Sequence, residues 1–232
     1  MRPPSLPTLG ERYGLDDRQL DQLGAVLDGL ATDDRAPTTV RDPGEAVDIH
    51  LADSLVALEI DRIRFARRVA DIGTGAGFPG LALAVALPAS ELRLVESQSK
   101  KCQFVRRVIA AAEVDNARVV EGRAEEWPEG LRAHDAVLAR ALAPSPVVLE
   151  YAAPLLERGG VLVDWRGRRD PAQEKAALQA ADQLGLELVE VRSAKPFAAA
   201  RDRHLHIYMK VGDTPPRFPR RGGMARKKPL AR

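Results

Sequence analysis

Val69-Ala-Asp-Ile-Gly-Thr-Gly-Ala-Gly-Phe-Pro-Gly-Leu-Ala-Leu-Ala-Val-Ala-Leu87 is an apolar strand that stops at Ile72, passes through glycines and restarts as a helix. Gly73, Gly75 and Gly77 allow backbone conformations closed to residues with a Cβ, and they let a ligand lie against the chain. Pro79 has no amide hydrogen to lose and suits the first turn of the following helix. A strand feeding a glycine turn and a helix builds a nucleotide pocket at the carboxyl end of a parallel sheet. The stretch therefore sets an α/β fold.

Gly75, Gly77 and Gly80 also satisfy the spacing of a dinucleotide fingerprint. Asp71 separates the readings. It gives Asp71-x-Gly73-x-Gly75-x-Gly77, which resembles motif I of the class I S-adenosylmethionine-dependent methyltransferases. A carboxylate there repels a pyrophosphate and attracts a sulfonium and an ammonium group. A turn that only connects strand to helix is the plain alternative. Leu92-Arg-Leu-Val-Glu96 reads as a second strand whose terminal Glu96 is placed to accept hydrogen bonds from ribose hydroxyls. Its alternative is a surface glutamate at a strand end.

Outward from this centre, residues 1–14 are rich in proline and glycine and read as irregular. Leu20, Leu23, Val26, Leu27 and Leu30 mark an amphipathic helix from about Asp16 to Ala31, with Asp16 or Asp17 near its cap. Asp42 caps a second helix beginning at Pro43, with Val47, Leu51, Leu55 and Leu58 facing inward. After Glu96, residues 97–113 read as a helix and Ala117–Glu121 as the third strand. Asp135–Ala141 forms a fourth strand that delivers Arg140 to the ligand-binding rim, where it stands against the alternative of an ordinary surface arginine. Residues 147–156 read as helical, Gly159–Trp165 as the fifth strand and residues 171–184 as a helix. Glu187–Arg192 and His204–Val211 complete seven strands, the last two as an antiparallel edge.

Composition bounds the function classes. No apolar run is long enough to span a bilayer, and the first residues lack the apolar core of a signal peptide. Cys102 is the single cysteine, which rules out an internal disulfide and a cysteine-based zinc site and fits a reducing cytosol. The four histidines have no metal-binding spacing. The formal charge is only +2, but from Arg217 onward basic residues occur without an acidic one. That run is a phosphate-binding tail or a solvated terminus.

Thr39-Val-Arg-Asp-Pro, His50-Leu-Ala-Asp-Ser-Leu55, Asp71 to Gly80, Arg123-Ala-Glu-Glu, Ala139-Arg-Ala141 and Arg203-His-Leu together resemble the bacterial 16S ribosomal RNA guanine-N7 methyltransferases, also called glucose-inhibited division protein B. The resemblance spans roughly residues 38–211. It implies a class I, Rossmann-like seven-stranded sheet, with residues 1–65 as an N-terminal helical extension, 66–212 as the methyltransferase core and 213–232 as a basic tail. S-adenosyl-L-methionine is the implied cofactor, with contacts at Gly73, Phe78, Ala124, Glu125 and Arg140. The residue reading adds Asp71, Gly75, Gly77 and Glu96. The chain departs from the family at Ala36-Pro-Thr-Thr-Val40, and at Arg166-Gly167 in place of Lys-Gly.

The implied substrate is a guanine in the decoding-region loop of 16S ribosomal RNA, as naked RNA or in the small subunit. Guanine N7 has a lone pair and no proton to lose, so positioning suffices and no single catalytic residue is assigned. Arg166, Arg203, Arg220, Arg221, Lys227 and Lys228 are the expected RNA contacts. Removing the tail is expected to weaken RNA binding while leaving cofactor affinity nearly unchanged. A monomeric, cytoplasmic enzyme without metal is expected. The fourth strand lacks the Asn/Asp-Pro-Pro-Tyr signature of base-amine methylation, and Cys102 sits in the wrong helix for a carbon-5 cytosine nucleophile. A small-molecule methyltransferase and a non-catalytic nucleotide-sensing or RNA-binding module are the alternatives.

Overall fold

The computed structural model describes residues 5–231. The apolar runs form one seven-stranded sheet: β1 (Arg68–Ile72), β2 (Glu91–Glu96), β3 (Ala117–Glu121), β4 (His134–Arg140), β5 (Leu156–Arg166), β6 (Leu186–Ser193) and β7 (His204–Lys210). Their order is β3-β2-β1-β4-β5-β7-β6. The first five strands run parallel, and β7 is inserted antiparallel between β5 and β6. The chain order reverses at β1, which lies between β2 and β4. Such a switch point opens a crevice beyond the strand ends, and the glycine turn occupies it.

The helices are α1 (Ser5–Tyr13), α2 (Asp17–Thr32), α3 (Pro43–Ala46), α4 (Asp53–Leu55), α5 (Asp61–Arg64), α6 (Gly80–Ala86), α7 (Ser99–Ala111), α8 (Ser145–Ala152), α9 (Pro171–Leu184) and α10 (Met224–Lys227). Asp16 caps α2 in a reciprocal capping box with Gln19, and Asp42 caps α3 through the Glu45 amide. Both satisfy orphan amides of a helix start. No helix among the described residues is long and apolar enough to cross a membrane.

Four expectations change. The irregular segment expected over residues 1–14 is helical from Ser5, because Leu6 and Leu9 are buried and Gly10 lets Leu20 approach closely; residues 1–4 lie outside the described set. The single helix expected from Pro43 is interrupted by a π turn, Val47–Ala52, which closes when the Asp53 amide donates to the Asp48 carbonyl, and it ends in a 3-10 turn, Val56–Glu59. Pro79 sits at the cap of α6, one residue before the first turn. Finally, α8 ends at Ala152, and β5 starts at Leu156, inside the segment expected to be helical.

Leu23, Leu27 and Leu55 of the N-terminal helices share one apolar cluster with Leu92 of β2, Leu81 of α6 and Phe104 of α7. The N-terminal segment therefore covers one face of the sheet and completes its core. Val147, Tyr151, Ala177 and Leu184 cover the opposite face.

Candidate cofactor pocket and adjoining arginine cluster

The turn after β1 is held by carboxylates from within. Asp71 is fully buried; its Oδ2 accepts the Thr74 hydroxyl at 2.6 Å and the Gly80 amide at 2.8 Å. It therefore ties the end of β1 to the start of α6 and does not line the open cavity. Burial raises its pKa to about 6, against the lowering pull of the Thr74 and Gly80 hydrogen bonds. Gly75 has φ +62°, and its amide donates to Glu96 Oε2 at 3.2 Å. Gly73, at φ +70°, faces Leu142 so closely that a Cβ would stand 2.4 Å from its Cδ1. A side chain at Gly73 would be strained in backbone and in packing alike.

Gly73, Glu96, Ala124 and Glu125 meet around one cavity at the carboxyl ends of β1, β2 and β3, with Gln98, Lys101, Tyr151 and Arg226 among the other residues of its wall. Glu96 is buried, and its Oε1 accepts the Gln98 amide at 2.8 Å. Glu125 Oε1 accepts the Gly223 amide at 3.0 Å. Gly122 also lines the cavity, and a Cβ built there meets nothing within 4 Å, so its backbone is open to a ligand. Gly75 and Gly77 shape the turn without entering the wall.

Phe78 and Arg140 belong to a second cluster, which the local sequence alone did not assemble. The His50 ring stacks on Phe78 with centroids 4.8 Å apart and planes 10° apart. Arg140 stands over the same Phe78 ring at 5.9 Å, and its Nη1 donates to Asp53 Oδ2 at 2.8 Å and to the Ile49 carbonyl at 3.1 Å. Asp53 Oδ1 accepts from Arg203 Nε at 3.2 Å, so one carboxylate bridges two guanidinium groups. Trp165 Nε1 donates to the Asp53 carbonyl at 2.8 Å. Burial, assisted by the Arg140 charge, lowers the His50 pKa to about 4, which makes the ring neutral at pH 7. The available signal was the His50-x-x-Asp53 pair one helical turn apart, which puts both side chains on one face.

The expected RNA contacts divide. Arg166 Nε donates to Asp164 Oδ2 at 2.7 Å and its Nη2 to the Ala143 carbonyl at 2.8 Å, while burial pushes Asp164 up to about 6 against the pull of that arginine. Arg203 is partly committed to Asp53. Arg220 is turned inward, forming a two-pronged pair with Glu150 and donating to the Lys228 carbonyl at 2.9 Å. Its charge is paired there, whereas the expectation set it among the RNA contacts. Arg221, Lys227 and Lys228 are exposed.

Comparison with known proteins agrees with this geometry. The sheet resembles that of the S-adenosylmethionine-dependent methyltransferase SibL in its apo form, at TM-score 0.56 and 15% identity over 90% of this chain and 73% of that one. It also resembles the fibrillarin pre-rRNA processing protein of Methanococcus jannaschii, at TM-score 0.54 and 16% identity over 66% of this chain and 70% of that one. Identities this low speak for the fold alone. Proteins named ribosomal RNA small subunit methyltransferase G are much nearer in sequence. The one from Desulfitobacterium hafniense is 36% identical across 83% of this chain and 81% of the relative, and the one from Syntrophomonas wolfei is 39% identical across 78% and 85%. The family described as rRNA small subunit methyltransferase G matches residues 25–206. By that match and those relatives, the chain belongs to the rRNA small subunit methyltransferase G (GidB) family.

Proposed function

We propose that the chain transfers the methyl group of S-adenosyl-L-methionine to N7 of a guanine in the decoding-region loop of 16S ribosomal RNA, in the cytoplasm. The observation that carries this reading is the glycine turn fastened to Glu96, at the switch point of the sheet, in a chain of this family.

The residues fit the cofactor. Glu96 offers acceptors where ribose hydroxyls belong, and Gly122 leaves backbone open for close approach. Glu125 Oε1 is used by Gly223, which leaves its second oxygen to accept from an exocyclic amine. Phe78 and Arg140, packed with His50 and Asp53, supply a rigid wall beside the turn. When bound, the cofactor supplies an electrophilic methyl group on a cationic sulfur.

The protein's task is then alignment. Guanine N7 needs no deprotonation, which agrees with a site whose His50 is buried, neutral and stacked. Holding reacting groups in line replaces the entropy of a bimolecular encounter and accounts for several kcal/mol of a barrier, roughly 7–11 in the best cases. N7 faces a groove that is too deep and narrow in A-form RNA, so the acceptor is an unstacked or loop guanine. The exposed Arg221, Lys227 and Lys228 are suited to the flanking phosphates.

The test is transfer of labelled methyl from S-adenosyl-L-methionine to 16S ribosomal RNA and to small subunits lacking the modification, followed by mapping of the label. Label at guanine N7 is the expected outcome. Cofactor binding with no RNA product on either substrate would remove the RNA reading in favour of a small-molecule acceptor or a sensing role.

A further inference from the structure

The basic C-terminal segment lies beyond residues 25–206, the stretch matched by the family. In the fold it is neither a free arm nor remote from the chemistry. After β7, the amides of Val211 and Gly212 both donate to the Gly185 carbonyl, and the Thr214 hydroxyl donates to the Leu184 carbonyl at 3.0 Å. Phe218 and Ala225 are then buried in the cluster containing Tyr151. Arg220 fixes the two ends of the following bend, pairing with the buried Glu150 and reaching the Lys228 carbonyl.

This course brings two groups of the segment to the cavity. The Gly223 amide, in a left-handed turn at φ +77°, donates to Glu125 Oε1 at 3.0 Å. The Arg226 guanidinium lines the cavity itself and is tethered to the Leu142 carbonyl at 2.9 Å. Glu125 is almost buried, with its side chain 5% exposed, so the amide that fixes one oxygen also decides where the other points. Arg221, Lys227 and Lys228 remain exposed on the same segment.

We propose that residues 213–231 are a wall of the cofactor pocket, in which Arg226 contacts the nucleoside end of the cofactor and the Gly223 amide positions the Glu125 carboxylate for the adenine amino group. The proposal rests on the cofactor reading above. It reverses the expectation that the tail is dispensable for cofactor affinity.

The test measures binding of S-adenosylhomocysteine to the full chain by calorimetry, beside thermal unfolding of the unliganded protein. Deleting the segment would remove the buried Phe218 and Ala225, uncover the cluster around Tyr151 and risk the fold, so point variants carry the test. Arg226→Ala removes a surface side chain and should raise Kd about tenfold with Tm unchanged within about 2 °C, and Arg226→Lys should recover part of the affinity. The double variant Lys227→Ala, Lys228→Ala removes more charge from the same turn but leaves the cavity intact. It should hold cofactor Kd within about twofold and weaken binding of a ribosomal RNA fragment. Equal cofactor affinity of Arg226→Ala and the parent overturns the proposal, as does an equal loss in the double variant, which would mark a diffuse charge effect. A parent chain that binds no S-adenosylhomocysteine removes the cofactor reading, and this inference with it.

Discussion

Replacing Arg220 by alanine should destabilise the fold by about 3 kcal/mol, although the residue lies in a run that reads as a solvated basic tail. The Glu150 side chain is 2% exposed and Arg220 is its two-pronged partner, so the substitution strands a carboxylate away from water. Loss of one member of a buried pair costs roughly 3–5 kcal/mol; the lower end applies because the Arg220 side chain keeps 23% exposure. In a chain of this size, about 3 kcal/mol corresponds to a fall in Tm of roughly 6–12 °C. Urea unfolding of the parent, Arg220→Ala, Glu150→Gln and the double variant forms a complete cycle. The double variant should recover at least about 1 kcal/mol relative to the sum of the singles, because no charge is left buried. A loss below about 0.5 kcal/mol for Arg220→Ala, the range of ordinary surface substitutions, would refute the docking of the tail against α8.

Three further outcomes follow from the site. Glu96→Ala removes the acceptor for the Gly75 and Gln98 amides as well as the proposed ribose acceptor, and should weaken S-adenosylhomocysteine binding about 100-fold by calorimetry; a change under threefold would dismiss Glu96 as a cofactor ligand. Asp53→Asn removes the charge that bridges Arg140 and Arg203, and should lower methyl transfer more than tenfold while costing about 2 kcal/mol of stability; unchanged kcat would separate the cluster from catalysis. Burial raises Asp71 from 3.8 to about 6, so its contribution to stability is complete below its unfolded pKa and is lost as pH rises through about 6. Asp71→Asn lacks that titration, and its stability relative to the parent should therefore improve by about 2 kcal/mol between pH 4 and pH 7; a pH-independent difference in urea unfolding would contradict the assigned burial of the charge.

The elements that position the candidate cofactor pocket were legible because each is written in local sequence. Ala117–Glu121 and residues 171–184 have the expected limits, and β2 and β4 differ from expectation by a residue at their ends. Period-two and helical apolar spacing report burial directly, so strand and helix limits need no knowledge of distant partners. Gly73 and Glu96 were legible for the same reason: an αL position and a strand-end carboxylate are properties of short stretches. The π turn at Val47–Ala52 was not, since a single inserted residue hardly disturbs apolar spacing.

The sequence by itself determined the α/β class, the glycine turn, the carboxylate at the end of β2 and the family. The tertiary structure alone decided which charges face a ligand and which face one another. Asp71 turned inward to clamp the turn, and Arg220 turned to Glu150. Arg140 and Arg203 converged on Asp53 from positions 87 and 150 residues away. The physical reason is that element formation depends on neighbours along the chain, whereas a charged side chain takes whatever counter-charge packing brings within about 3 Å. A basic run therefore reads the same whether it ends in solvent, on RNA or as the wall of a pocket.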